Sequence, residues 1–296
     1  MLETSARVRR PGAAVAAAAA VGLSLLGLAP LARASAGPAP AAEKWALVIG
    51  VDRFLGRTRP NVGAVGDALA VRDALVANGW PDGQVRVLAD AGATAAAIRS
   101  GFEWLARSSS QRSFSVVHYS GHVRQIGRDP DRDGEALDEH LWSHDNRYIS
   151  DGEFSAAMRA VRGWLWVNVS GCEGAGLDDG ISGPQRLFTA ASQEHQKAYE
   201  YPQWRRSVFT GLMVDQAISQ GRGDTDGDRR VSLQEAFDYA AERAPAMTAG
   251  QRYGPQTPYR AGGDASAWFL DPPPPPPSLV PPAPGPQRLC LLVICL

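Results

Sequence analysis

The chain has 296 residues, of which 44% are hydrophobic and 21% charged, a composition typical of a soluble globular protein with a substantial core. The formal net charge is -1 and the body of the chain has no long basic run, which argues against a nucleic-acid partner. The His and Cys residues lack metal-ligand spacing, so a zinc site is not expected.

Residues 1–34 have the order of charged, apolar and small residues that is typical of an export signal. Arginines precede the Ala- and Leu-rich residues 13–28, and small residues follow. We therefore expect cleavage near Ser35, a secreted or extracytoplasmic protein, and a short linker over residues 35–43. An uncleaved membrane anchor is the alternative interpretation.

The body of the chain alternates predicted strands and helices. Strands are predicted over residues 45–51, 85–88, 116–119, 164–169, 185–190 and 267–270. Helices are predicted over residues 62–77, 94–107, 151–161, 208–219 and 232–244, the last of them ended by Pro245. Elements of these lengths predict an α/β fold, a three-layer α/β/α domain over residues 44–271 with a mainly parallel central sheet.

Two of the predicted strands end in turns of small residues that carry a histidine and a cysteine. Residues 116–119 are followed by Ser120-Gly121-His122, and residues 164–169 by Ser170-Gly171-Cys172. If the two strands are neighbours, about 4.8 Å apart, their ends bring the imidazole of His122 and the thiol of Cys172 within reach of each other. This is the geometry of a cysteine nucleophile with an imidazole base. His118, inside the first strand, is expected to be a core histidine.

Cys172 is the only cysteine in the body of the chain, because Cys290 and Cys295 lie close to its end. An exported domain with one cysteine forms no internal disulfide, so Cys172 is expected to be a free thiol. A small buried hydrophobic side chain is the alternative role. The position of Cys172 after a strand, in a Gly-rich turn, favours a function.

Two acidic loops have features of calcium-binding loops. The first, residues 129–134, would have a histidine at position twelve, where a bidentate glutamate is wanted, and is expected to be a solvated turn. The second has carboxylates at positions one, three, five and twelve, which predicts a weak calcium site. These carboxylates belong to Asp224, Asp226, Asp228 and Glu235. The glycine of this loop is misplaced, and Ser232-x-x-Glu235 is also a capping box, so a simple helix entry is an equal alternative.

The C-terminal residues form two compositionally distinct segments. Proline dominates residues 272–288, which predicts an extended spacer outside the folded domain. Residues 289–296 are apolar but too short to span a bilayer. A truncated anchor, a lipid-modified tail and an artefact of the reading frame all fit this segment, so membrane association is one of the open alternatives.

Further segments match a known family in the same order along the chain. Besides Ser120-Gly121-His122 and Cys172-Glu173-Gly174-Ala175, they are Trp45-Ala46-Leu47-Val48-Ile49-Gly50-Val51, Gly63-Ala64-Val65-Gly66-Asp67-Ala68, Ala93-Thr94, Phe209-Thr210 and Gln256-Thr257-Pro258. Over residues 44–270 the chain thus resembles the caspase/metacaspase superfamily, in particular its bacterial members. The resemblance implies a caspase-like fold and a cysteine endopeptidase that acts on proteins or peptides and requires no cofactor.

The resemblance also implies roles for individual residues. Cys172 is the nucleophile, His122 is the base, and the backbone N–H groups of Cys172 and Val123 stabilise the oxyanion. Asp67 matches one of two aspartates that bind a basic side chain before the scissile bond, and Ser170 has the position of the second. We therefore expect a modest preference for Arg or Lys. No group near the dyad is expected to supply the positive charge that cleavage after Asp requires.

Two departures from the family pattern concern activity. Val123 replaces a glycine, and its branched side chain forbids backbone angles that glycine allows. Ser170 replaces an aspartate. Three functions therefore stay open: an active peptidase, a catalytically silent binding module of the same fold, and a calcium-responsive interaction protein.

Overall fold

The structure is a computed structural model that describes residues 43–127 and 136–270. The predictions for the export signal, nearly all of the linker, the first acidic loop, the Pro-rich spacer and the apolar tail lie outside the described residues. No helix within the described ranges is long and apolar enough to cross a membrane.

Within these ranges the chain alternates strands and helices. The strands are β1 (Glu43–Gly50), β2 (Val85–Ala89), β3 (Ser113–Ser120), β4 (Val123–Ile126), β5 (Asp138–Trp142), β6 (Tyr148–Ser150), β7 (Trp164–Ser170), β8 (Arg186–Ala190), β9 (Glu200–Tyr201), β10 (Arg206–Ser207) and β11 (Tyr259–Gly262). The longer helices are α1 (Ala64–Ala77), α2 (Ala95–Ser108), α3 (Asp151–Ala160), α4 (Val208–Thr210), which continues into a π-helix (Gly211–Ser219), and α5 (Leu233–Thr248).

Six strands form the central sheet, in the order β11-β8-β7-β3-β1-β2. All neighbours are parallel except β11, which is antiparallel to β8. Buried apolar residues of α1, the π-helix and α5 cover one face, and those of α2 and α3 cover the other. The predicted three-layer α/β/α fold with a mainly parallel sheet is confirmed.

Local sequence explains where two of the helices begin. Thr94 accepts a hydrogen bond from the N–H of Ala97 at the start of α2. Ile98, Phe102 and Leu105 then recur at helical spacing and are buried against the sheet. Ser232 and Glu235 form a complete capping box at the start of α5.

Two local predictions are wrong. Pro245 lies inside α5 rather than ending it, so the helix lacks the backbone hydrogen bond that the missing N–H of the proline would donate. Residues 267–270 form no strand of the sheet; the antiparallel edge strand is β11 instead. At the start of α3, the Ser150 hydroxyl accepts from the Glu153 N–H, whereas the Glu153 carboxylate binds Arg99, so the capping box is half formed.

A separate antiparallel sheet of β4, β5 and β6 follows the histidine turn, and the sequence analysis did not predict it. Its strands are short and include charged residues such as Arg124 and Asp138, so they lack the apolar alternation that indicates a strand.

Candidate active site

His122 and Cys172 lie at the same edge of the central sheet because β3 and β7 are adjacent and parallel. The strands pair with Ser120 opposite Ser170, and each strand is followed two residues later by the histidine or the cysteine. The expected pairing of these two strands is therefore confirmed. Both residues line one cavity of about 520 Å³ at this edge.

The imidazole of His122 is held on two sides. Its ring stacks on Phe54 with a centroid distance of 4.9 Å, and Trp142 lies 5.7 Å away. Its Nε2 atom lies 2.8 Å from the backbone carbonyl oxygen of Arg59. A carbonyl oxygen only accepts hydrogen bonds, so in the neutral imidazole Nε2 carries the proton and Nδ1 is the basic nitrogen.

The Cys172 thiol is partly exposed to the cavity and contacts the backbone of Ala198, whose N–H donates to Sγ at 3.4 Å. Among the described residues Cys172 is the free cysteine, as expected. Burial raises the pKa of the Cys172 thiol, and the Ala198 N–H opposes this. The charge of Glu173 raises this pKa further, whereas the charge of Lys197 lowers it.

Glu173 follows the cysteine with an unusual backbone conformation. Its φ angle is 50°, in the left-handed region, although it is not a glycine. Its N–H donates to the carbonyl of Gln196 at 2.8 Å. Glu173 is only 4% exposed, and its carboxylate forms an ion pair with Lys197. These contacts hold a charged pair directly beside the thiol.

Val123 has an ordinary strand conformation, so its branched side chain imposes no unusual backbone angle. It lies in β4 with a negative φ angle, a conformation that any residue adopts. The Trp142 N–H donates to the His122 carbonyl, so these two residues form a hydrogen-bonded pair. The next pair, Val123 and Leu141, is then a non-hydrogen-bonded pair. In such a pair, the N–H group of each residue points away from the opposite strand. The Val123 N–H is therefore not used by β5.

The side chain of Val123 also explains a glycine beside the cysteine. A Cβ atom on Gly171 would lie 2.7 Å from Cγ2 of Val123. Only a glycine fits between the valine and the backbone that leads into Cys172.

Ser170 and Asp67 lie at different depths from the cavity. Ser170 lines the cavity together with Ser120 and Ser207, and its hydroxyl bonds Thr210 at 2.7 Å. Asp67 is fully buried behind this layer. Its carboxylate accepts hydrogen bonds from the Ser120 hydroxyl at 2.8 Å and from the Ser207 N–H at 3.0 Å. Burial raises the pKa of Asp67 to about 7, against the opposing effect of these hydrogen bonds.

The charges around the cavity differ from the expectation. The expectation that nothing near the dyad supplies positive charge is wrong, because Arg59, Lys197 and Arg252 line the cavity along with the acidic Glu200. Lys197 is paired with Glu173, and the Arg252 guanidinium lies 5.3 Å from the Tyr253 ring centroid.

Two site features escaped the sequence analysis. Arg59 acts through its carbonyl oxygen, which no side-chain pattern reveals. Glu200 accepts hydrogen bonds from the N–H groups of Val62 and Gly63, just before α1. The signal that could have indicated a remote partner is Gly63, an N-cap residue without a side chain to cap the helix.

The second acidic loop brings three of its four predicted calcium ligands together. Carboxylate oxygens of Asp224, Asp226 and Glu235 lie within 4.8 Å of one another, and Asp228 is not part of this group. Backbone N–H groups of the loop already bind these carboxylates. Arg229 has a φ angle of 68°, so a non-glycine residue adopts the left-handed conformation here.

A family model described as the caspase domain, Peptidase C14, matches residues 43–248. The chain therefore belongs to the caspase domain family, whose members are generally cysteine peptidases. Solved structures agree with this assignment at the level of the fold. Protein GSU0716 from Geobacter sulfurreducens is 16% identical with a TM-score of 0.59, covering 78% of this chain and 98% of that chain.

Caspase-1 from Spodoptera frugiperda is 11% identical with a TM-score of 0.53, covering 81% of this chain and 92% of that chain. No curated protein gives a significant match. At these identities the structural matches support the fold alone.

Substitutions of Glu173 and Lys197 should shift the reactivity of Cys172 in opposite directions. Glu173→Gln removes a charge that raises the pKa of the thiol, so alkylation by iodoacetamide should become about two to five times faster near pH 7. Lys197→Met removes a charge that lowers it, so alkylation should slow by a similar factor. Identical pH dependences of the alkylation rate in the three proteins would contradict the electrostatic account.

Calcium binding at Asp224, Asp226 and Glu235 stays a prediction, with an expected Kd of about 10⁻⁴ to 10⁻³ M because the loop geometry is irregular. Isothermal titration calorimetry of the wild type should show heat that Asp226→Ala removes. Asp73→Ala, which changes an exposed carboxylate on α1, is the matched control. Equal heats in wild type and Asp226→Ala would leave only the helix-capping role.

Proposed function

We propose that the chain is a cysteine endopeptidase in which Cys172 attacks the peptide carbonyl and His122 transfers the protons. The observation that carries this proposal is that both side chains line one cavity at the ends of adjacent strands. The Arg59 carbonyl on Nε2 supports it, because this contact leaves Nδ1 as the nitrogen that is free to accept the thiol proton.

The first step of the proposed reaction forms a thioester. Nδ1 of His122 accepts the thiol proton while Sγ of Cys172 bonds the carbonyl carbon of the substrate. The N–H groups of Cys172 and Val123 are proposed to stabilise the negative carbonyl oxygen. The C–N bond then breaks, and the leaving amine takes the proton from Nδ1.

The second step releases the acid product. Water attacks the thioester carbon while Nδ1 accepts one of its protons, and the thiolate that leaves recovers this proton. Burial raises the pKa of the Cys172 thiol, so the attack is proposed to include proton transfer to His122. The same burial is the observation that favours the catalytically silent binding module as the second candidate function.

Cys172→Ala should abolish cleavage of an unstructured protein substrate and leave the thermal midpoint of unfolding within about 2 °C, because a partly exposed thiol contributes little to packing. The double variant Cys290→Ala, Cys295→Ala is the matched control and should cleave at the wild-type rate. Cleavage by Cys172→Ala at the wild-type rate excludes this cysteine as the nucleophile. No cleavage by the wild type favours the binding module.

We propose further that the enzyme prefers Arg or Lys before the scissile bond, with Asp67 supplying negative charge behind the hydroxyl groups of Ser120 and Ser170. The buried carboxylate is the supporting observation.

The preference for Arg should depend on pH. Because the pKa of Asp67 is raised to about 7, its carboxyl group is mostly neutral below this pH and ionised above it. The ratio of kcat/KM for two peptides that differ only in Arg or Gln should therefore rise roughly tenfold between about pH 6 and 8. Ser170→Asp should increase the ratio, and Asp67→Asn should make it independent of pH. A constant ratio in the wild type would exclude Asp67 as the selective group.

The proposal of export rests on the composition of residues 1–34. Expression of the full chain, cell fractionation and N-terminal sequencing test it. A chain beginning near Ser35 outside the cytoplasm is the expected result, and an uncleaved chain in the membrane fraction supports the anchor. An intact chain in the cytoplasm contradicts export.

A further inference from the structure

One short segment contacts both sides of the candidate active site. Within residues 198–200, the N–H of Ala198 donates to Sγ of Cys172. Two residues later, the Glu200 carboxylate binds Val62 and Gly63, in the same loop as Arg59, whose carbonyl contacts His122. Between them, the Tyr199 N–H donates to Gln256 at 2.9 Å, which anchors the segment to the loop after α5.

Glu200 binds the histidine side of the site through backbone groups. Its Oε1 accepts hydrogen bonds from the N–H of Val62 at 2.9 Å and of Gly63 at 2.8 Å. Only Pro60 and Asn61 separate Val62 from Arg59, whose carbonyl holds Nε2 of His122. Glu200 therefore binds the loop three residues from the carbonyl that contacts the imidazole.

The other anchors of this loop do not replace Glu200. The Asn61 N–H donates to the Asp52 carbonyl at 2.9 Å, and the Asp52 carboxylate accepts from the Ala64 N–H at 2.7 Å. These contacts fix the loop on the side of β1. Glu200 is the contact that ties it to the segment beside the thiol, because it accepts the two N–H groups that Asp52 does not reach.

We propose that Glu200 is a positioning residue that holds the His122 imidazole in register with the Cys172 thiol through Val62, Gly63 and the Arg59 carbonyl. This inference rests on the proposed function, since it concerns the same dyad. Glu200 touches neither reacting atom. It acts by fixing the loop that orients the base.

The test compares Glu200→Ala and Glu200→Gln with the wild type, using Glu103→Ala on the exposed face of α2 as the control. Peptide cleavage is measured as kcat and KM. Alkylation of Cys172 by iodoacetamide near neutral pH is measured separately, because this small neutral reagent needs no substrate-binding contacts. The thermal midpoint verifies that each variant is folded.

Glu200→Ala should lower kcat about tenfold to a hundredfold with little change in KM, since misplacement of a catalytic group costs rate rather than binding. Alkylation should slow as well. Glu200→Gln should retain most activity, because an amide oxygen at the Oε1 position can accept from both Val62 and Gly63, and only the longer contact of Val62 with Oε2, at 3.1 Å, is lost. Glu103→Ala should match the wild type.

A double substitution shows whether Glu200 acts through the imidazole. In a His122→Ala background, Glu200→Ala should slow alkylation no further, whereas independent effects would multiply. Three outcomes would overturn the proposal. They are effects of the two substitutions on alkylation that multiply, an increase in KM without a fall in kcat, and an equal loss of activity in Glu200→Gln and Glu200→Ala. If no variant cleaves peptide, the proposed function fails, and the alkylation rates still decide the role of Glu200.

Discussion

The register between β3 and β7 is the constraint on which the candidate site depends. Ser120 pairs with Ser170, and a shift of one residue would turn every side chain of one strand to the opposite face. A buried polar pair helps to prevent this shift, because Asn168 donates to Nδ1 of His118 at 2.9 Å in the same register. Burial lowers the pKa of His118 to about 3, so this core histidine is neutral at physiological pH. Its role is to hold the register of the two strands.

Several carboxylates at the start of α1 connect the central sheet to the cavity. Asp52 accepts from the first N–H group of the helix, at Ala64, Glu200 accepts from the N–H of the N-cap residue Gly63, and Asp67 lies in the first turn. The positive end of the helix dipole favours negative charge there. The same groups hold the loop around His122 and place an acid behind the cavity floor, so helix capping and site construction share their contacts.

The sequence predicted the parts of the molecule that depend on repeating patterns. The buried strands, the main helices and the pairing of the strands before His122 and Cys172 all follow from apolar periodicity and from small residues at strand ends. Contacts between distant residues were not predictable in this way. The Arg59 carbonyl and the Glu200 carboxylate act through backbone groups, and the edge strand β11 is recognised only by its partner β8. The ordinary strand conformation of Val123 depends on β4, and the sequence of this strand has no apolar pattern.

The central claim is that His122 activates Cys172, and labelling with a thiol-directed probe near neutral pH tests it most directly. We predict that Cys172 is modified at least about tenfold faster in the wild type than in His122→Ala at equal thermal stability. Mass spectrometry of the labelled chain identifies the modified cysteine. Equal rates of modification with and without His122 would contradict activation of Cys172 by His122.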